Sequence, residues 1–162
     1  MSFEWENGRI LKNINTSDKA IQMSYDSNGM RTQKTVGGVK TNYYYDSNKN
    51  LIALVKGNDT LLFYYDSDGS ATSFSYNGTM YFYVKNLQGD VIRIIDLAGT
   101  EVASYVYDAW GNIKDTKGEP TIREINPIRY RGYVYDTETG LYYLQSVSYT
   151  HLRAHETCAD LV

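Results

Sequence analysis

Four residues near the C-terminus have the types that bind metals: His151, His155, Glu156 and Cys158. Histidines at i and i+4 share one face of a helix, the spacing by which metalloprotease helices offer two imidazoles to zinc. In that pattern the glutamate follows the first histidine. Here Glu156 follows the second, so the match fails. Asp66-Ser67-Asp68-Gly69 begins like a calcium loop. An EF-hand loop needs Gly at its sixth position and Glu at its twelfth. Here Gly69 is fourth and Asn77 twelfth, which leaves a polar turn. The carboxylates Asp26, Asp46, Asp66, Asp108 and Asp136 recur serially, whereas a catalytic pair would be singular. Serial aspartates suit side chains that accept backbone N–H bonds in turns. No Ser-His-Asp or Cys-His arrangement exists outside residues 147–162. The expectation is a chain with no enzymatic centre, no metal and no cofactor.

Two further groups could bind ligands. Arg129 and Arg131 flank Tyr130, and on one strand they would share a face. That face suits an anion or inner-surface contact, or cross-strand pairing with acids and stacking on tyrosine. The tyrosines pair an apolar ring with a polar tip, which suits a sugar platform as well as a structural ladder.

The elements that hold these residues are repeats. Tyr25-Asp26 precedes Ser27-Asn28-Gly29, Tyr45-Asp46 precedes Ser47-Asn48-Lys49-Asn50, and Tyr65-Asp66 precedes Ser67-Asp68-Gly69, at a spacing of 20 residues. Tyr107-Asp108 precedes Ala109-Trp110-Gly111-Asn112, and Tyr135-Asp136 precedes Gly140. Trp5-Glu6-Asn7-Gly8 and the run from Tyr83 to Gly89 are degenerate copies. Alternating aromatic runs make strands, and Asx and Gly residues turn the chain. The spacing predicts hairpins over 1–15, 21–36, 40–55 and 60–76, with a tight turn at Asn77-Gly78. Central strands are expected at 91–95 and 102–107, joined at Ala98-Gly99. Residues 114–124, charged and carrying Gly118 and Pro120, read as a loop or linker. Residues 126–145 read as a hairpin of two aromatic strands, with Tyr130 in the first and a loop at 136–140. No helical periodicity exceeds two turns. A lone hairpin of this length cannot bury its apolar face, whereas stacked copies can.

Composition agrees. Tyr occurs 17 times, Phe 4, Gly 13 and Pro 2 in 162 residues, which favours strands and turns in one domain. A net charge of −3 with mixed signs argues against a nucleic-acid partner. The single Cys158 carries no internal disulfide. No run approaches the ~20 apolar residues of a membrane helix. The N-terminus has no signal-peptide core, which in an intact protein argues for the cytosol and in a fragment argues nothing.

The repeat resembles the YD repeat of the Rhs family. Three blocks resemble its RHS repeat-associated core: Tyr83-Val-Lys-Asn-Leu-Gln-Gly-Asp-Val-Ile, then Tyr105-Val-Tyr-Asp-Ala-Trp-Gly-Asn, then Asn126-Pro-Ile-Arg-Tyr-Arg-Gly-Tyr-Val-Tyr-Asp-Thr-Glu-Thr-Gly-Leu-Tyr-Tyr-Leu. The resemblance divides the chain into YD-type hairpins over 1–79 and core over 80–146. It implies an all-β fold, with antiparallel hairpin repeats in one curved, twisted sheet cut from a β-shell. The shell of a polymorphic toxin or wall-associated surface protein encloses and delivers a C-terminal toxin that this chain lacks. The implied partners are neighbouring repeats and that toxin, with cell-surface carbohydrate as the alternative, and the implied location is secreted or at the cell surface. The structural motif so assigned is Tyr25, Asp26, Tyr45, Asp46, Tyr65, Asp66, Tyr107, Asp108, Tyr135, Asp136 and Gly140. The family's Arg-Tyr-Tyr-Asp-Pro continuation is missing after residue 146. Residues 147–162 resemble a translated sequencing adapter, a non-native tail that stands outside the fold.

A strip cut from a longer array has sheet edges at both ends. Residues 1–146 expressed alone are expected to associate, with amide protection greatest in 80–107. Light scattering and region-resolved hydrogen exchange measure both, and a concentration-independent monomer with uniform protection contradicts the expectation.

Overall fold

Alternating aromatic and β-branched stretches become strands wherever turn residues bound them on both sides. The computed structural model describes residues 1–6, 10–144 and 149–151, the last three by backbone alone. Twelve strands form one antiparallel sheet whose order is the chain order. They are β1 Ser2–Glu6, β2 Ile10–Asn15, β3 Ala20–Tyr25, β4 Arg31–Val36, β5 Val39–Tyr45, β6 Leu51–Lys56, β7 Asp59–Tyr65, β8 Ala71–Tyr76, β9 Thr79–Lys85, β10 Val91–Ile95, β11 Glu101–Tyr107 and β12 Ile113–Gly118. A second sheet joins β13 Val134–Asp136, β14 Leu141–Leu144 and β15 Tyr149–His151. The fold is therefore all-β and antiparallel, as the repeat predicts.

Contacts divide the described residues into two units. The first holds Met1–Tyr64 and Phe74–Thr79, the second Tyr65–Ser73, Met80–Leu144 and β15. In the first unit β3, β5 and β7 bury alternate residues, Ile21 and Met23, Thr41 and Tyr43, Leu61 and Phe63. Their partner strands bury residues three apart, Leu11 and Ile14, Leu51 and Leu54. The cause is a bulge. Trp5 pairs Leu11 while Glu4 pairs Asn13, and Tyr45 pairs Leu51 while Tyr44 pairs Ala53. One extra residue bends the strand and returns the third residue to the buried face. Arg31 and Lys34 occupy the same positions of β4 and are buried, with Arg31 Cζ 4.6 Å from the centre of the Tyr43 ring.

The second unit repeats the device at Val91 and Ile94, with Val91 opposite Lys85 and Arg93 opposite Val84. Two of its segments differ from expectation. Residues 114–124 are not a loop. Ile113 to Gly118 pair with β11 as its outer neighbour, and helix α1, Pro120–Ile125, follows. A charged strand is stable with one row of side chains in water, and Pro at the first helical position has its φ preset. Ile122 is the one buried residue of this helix. In the 126–145 hairpin, Tyr130 is not in a strand. Tyr130–Gly132 is a 3₁₀ turn with Arg131 at φ 51, and the hairpin proper begins at Val134. Arg129 and Arg131 therefore share no strand face, because Arg131 is itself left-handed within the turn and breaks the alternation. Arg129 is buried, while Arg131 is exposed.

Of residues 147–162, expected to stand outside the fold, Tyr149–His151 pairs with β14 through its backbone. A strand edge templates any extended backbone, whatever its side chains. His155, Glu156 and Cys158 lie outside the described residues.

Gly118 has φ 95, and a Cβ there would collide with the Val102 backbone. Gly118→Ala is expected to lower stability by more than about 1 kcal/mol in urea unfolding.

Candidate functional site

The two residues of a Tyr-Asp pair act in different hairpins. The aspartate builds its own turn. Asp26 Oδ1 accepts the N–H groups of Asn28 and Met30, both at 2.9 Å. Asp46 does so for Asn48 and Asn50 at 2.8 Å. Asp66 serves Asp68 and Ser70, and Asp108 serves Trp110 and Asn112. Two turns outside the predicted pairs use the same acceptor, Asn86 for Gln88 and Asp90, and Asp96 for Ala98 and Thr100. In all six the fourth residue donates to the first carbonyl at positive φ, a glycine except for Lys49 at φ 67. The Asp136 turn differs: its backbone carbonyl accepts the N–H groups of Thr139 and Gly140, and Asp136 itself is buried.

These bonds favour the carboxylate. The Asn50 backbone N–H, with Asn48 and the Asn50 side chain, lowers the Asp46 carboxyl from its ordinary value. The Asn112 side-chain amide, the N–H groups of Asn112 and Trp110, and the Lys114 ammonium hold Asp108 at about 2.

The tyrosine reaches the preceding hairpin. Tyr25 Oη donates to the Leu11 carbonyl at 2.9 Å, Tyr45 Oη to Arg31 at 2.9 Å and Tyr107 Oη to Val91 at 2.8 Å. Each acceptor lies beyond the point where the backbone ladder between hairpins stops, at Asn13–Gln22, Gln33–Asn42 and Arg93–Ser104. Neighbouring hairpins diverge there, and the phenol spans the gap. Tyr65 ends β7 at the equivalent place. Lys85 stands where a tyrosine is expected before Asn86, and its ammonium donates instead to Ser70 Oγ. Burial lowers the Lys85 amine from its ordinary value.

A polar hub in the second unit collects the residues after α1. Asn126, fully buried, accepts from Tyr83 Oη at 2.7 Å and donates to the Ile128 carbonyl at 2.8 Å. Arg129 caps the helix end, donating to the Asn126 and Arg123 carbonyls at 3.2 and 2.8 Å. Its guanidinium lies between the Tyr105 and Tyr135 rings, 4.9 and 4.4 Å from their centres. Tyr105 Oη also donates to the Arg123 carbonyl. Burial raises the phenols of Tyr83, Tyr105, Tyr107 and Tyr142, keeping them neutral donors. The arrangement ties the end of α1 to the rings beside it. Sequence reasoning missed Asn126 and Arg129 as one cluster; the signal available was Asn-Pro directly after a charged run.

The comparisons agree with this repeat architecture. No family model matches the chain. Over 128 residues, 77% of the chain, it is 44% identical to the tRNA3(Ser)-specific nuclease WapA of Bacillus spizizenii, and to the same degree to the tRNA nuclease WapA of Bacillus subtilis. The chain spans 5% of the length of these relatives. Among solved structures it superposes on TcdB2-TccC3-Cdc42 with a TM-score of 0.63 and 14% identity, over 87% of this chain and 8% of that one. The Photorhabdus luminescens Tc holotoxin pore gives 0.63 and 15%, over 88% and 8%. At such identities the likeness is one of fold.

Tyr45→Phe removes an inter-hairpin bond and is expected to cost about 1 kcal/mol, whereas Tyr44→Phe on the exposed face costs less than about 0.5 kcal/mol. Urea unfolding of the two variants measures the difference. Asp108 binds its proton less readily when folded, so its stabilisation is present above its ordinary 3.8 and is lost as pH falls towards about 2. Asp108→Asn keeps the acceptor, as Asn86 does naturally, and is expected to flatten this part of the acid-unfolding curve.

Proposed function

We propose that the chain is a wall segment of an Rhs-type toxin or wall-associated surface protein, secreted or displayed at the cell surface. Its role is to enclose and deliver a toxin carried elsewhere in the parent protein. The observation that carries this reading is the tyrosine tie. Three hairpins accept a hydroxyl from the one that follows, so the architecture extends by repetition. The WapA identity and the Tc-toxin fold support it. The nuclease activity in the relatives' names belongs to whole proteins far longer than this chain. In this reading the chain encloses the toxin and itself carries out no reaction.

A second reading, binding of cell-surface carbohydrate, is favoured by one observation. Tyr44, Ile52, Leu62 and Tyr64 are all 40–51% exposed, and Ala53 pairs with both Tyr44 and Leu62. Tyr44 and Tyr64 lie two strands apart, about 10 Å laterally, and Tyr44 stands two residues from Asn42, whose amide is hydrogen-bonded to that of Gln33. Glycan-array binding that falls with Tyr44→Ala and Tyr64→Ala would support this reading.

For the enclosure reading, limited proteolysis of the parent protein is decisive. The toxin portion is expected to resist protease until the wall unfolds. Cleavage at the rate of the isolated toxin would overturn it.

A further inference from the structure

A cleft of about 300 Å³ in the second unit belongs to none of the interactions above. Its size is at the lower end for small-ligand pockets. Trp110, Tyr130, Tyr133, Tyr142 and Leu144 supply apolar walls, and Arg131 supplies the charge. The Tyr130 and Tyr142 hydroxyls are spent on the Ala109 and Gly111 carbonyls, at 3.0 Å each. Those residues therefore offer their rings to the cleft. Trp110 is 57% and Tyr133 40% exposed.

Arg131 is held there against its backbone preference. It adopts φ 51, a left-handed conformation that non-glycine residues rarely take. Its N–H donates to Asp90 Oδ1 at 2.9 Å, and Asp90 is itself buried and held by Asn86 Nδ2. The Gly111 turn allows the close approach: a Cβ there would lie 2.6 Å from the Tyr130 ring. The guanidinium sits 5.3 Å from the Tyr130 ring centre, and among the described residues it has no carboxylate partner. Strained residues so over-determined cluster at ligand clamps.

We propose that this cleft binds a ring that carries a carboxylate. Flat aromatic walls accept the ring by stacking, and Arg131 takes the carboxylate in a two-pronged hydrogen-bonded pair. The same guanidinium repels a cationic ligand, which separates this site from an aromatic cage for ammonium groups. The ring is aromatic or a pyranose, and the test distinguishes the two sources. This site is independent of the enclosure reading.

The sequence contains 2 Trp, so Trp5→Phe in the full chain leaves Trp110 as the reporter. Its fluorescence is titrated with 4-hydroxyphenylacetate and with glucuronate, each beside a neutral counterpart, 4-hydroxyphenylacetamide and glucose. At least one acid is expected to give a saturable change, about tenfold tighter than its counterpart. Arg131→Gln is expected to abolish that preference, and Tyr133→Ala to weaken acid and neutral compound together. No saturable change with either acid, equal binding of acid and counterpart, or an intact preference in Arg131→Gln would each overturn the proposal. If Arg131→Gln does not fold, the acid–neutral ratio in the parent chain and the Tyr133→Ala loss still decide it.

Discussion

At each long turn of the Asp26 type, one side-chain oxygen accepts two backbone N–H groups. The remaining regularities follow from it. The double acceptor fixes a five-residue turn, and that turn forces its fourth residue left-handed. After the Asp26, Asp46 and Asn86 turns the second strand carries a bulge, and burial there steps by three. The same turn sets the phenol before it at the mouth of the preceding hairpin. Asn86 shows that the requirement is for a carbonyl-type acceptor, since an amide builds the same turn without charge.

The composition now has a physical reading. Tyrosine outnumbers phenylalanine 17 to 4. An interior needing only ring area would accept either. Here hairpins diverge at one end, and the carbonyls exposed by the divergence need donors. A phenol supplies ring and donor in one side chain. Where Lys85 replaces it, an ammonium that burial penalises reaches the Ser70 hydroxyl instead of a carbonyl.

Hairpin positions were legible because turn chemistry is local: Gly, Asn and Asp mark turns wherever they cluster. The bulge left a trace, Leu51 and Leu54 three apart in a strand, but that spacing conflicts with period two and is invisible without the partner strand. The tyrosine tie links residues 14 to 16 apart through a side chain, which no periodicity reports. Arg129 was misplaced for a different reason. Charged residues are expected at the surface, and its acceptors are carbonyls at the end of a six-residue helix hidden in a charged run. Arg31 and Lys34 show the same limit, as cations at positions that other repeats fill with leucine or isoleucine.

The bulge gives the strip a phase. Each early period carries a fixed number of residues, with one residue out of step placed just after the turn. Gain or loss of a whole period by unequal recombination leaves every acceptor and every phenol facing its mate. A slip by an odd number of residues turns the following strand over and presents its polar side to the interior. Such a chain can grow or shrink by gene duplication in quantised steps, and its length becomes a heritable variable separable from its stability.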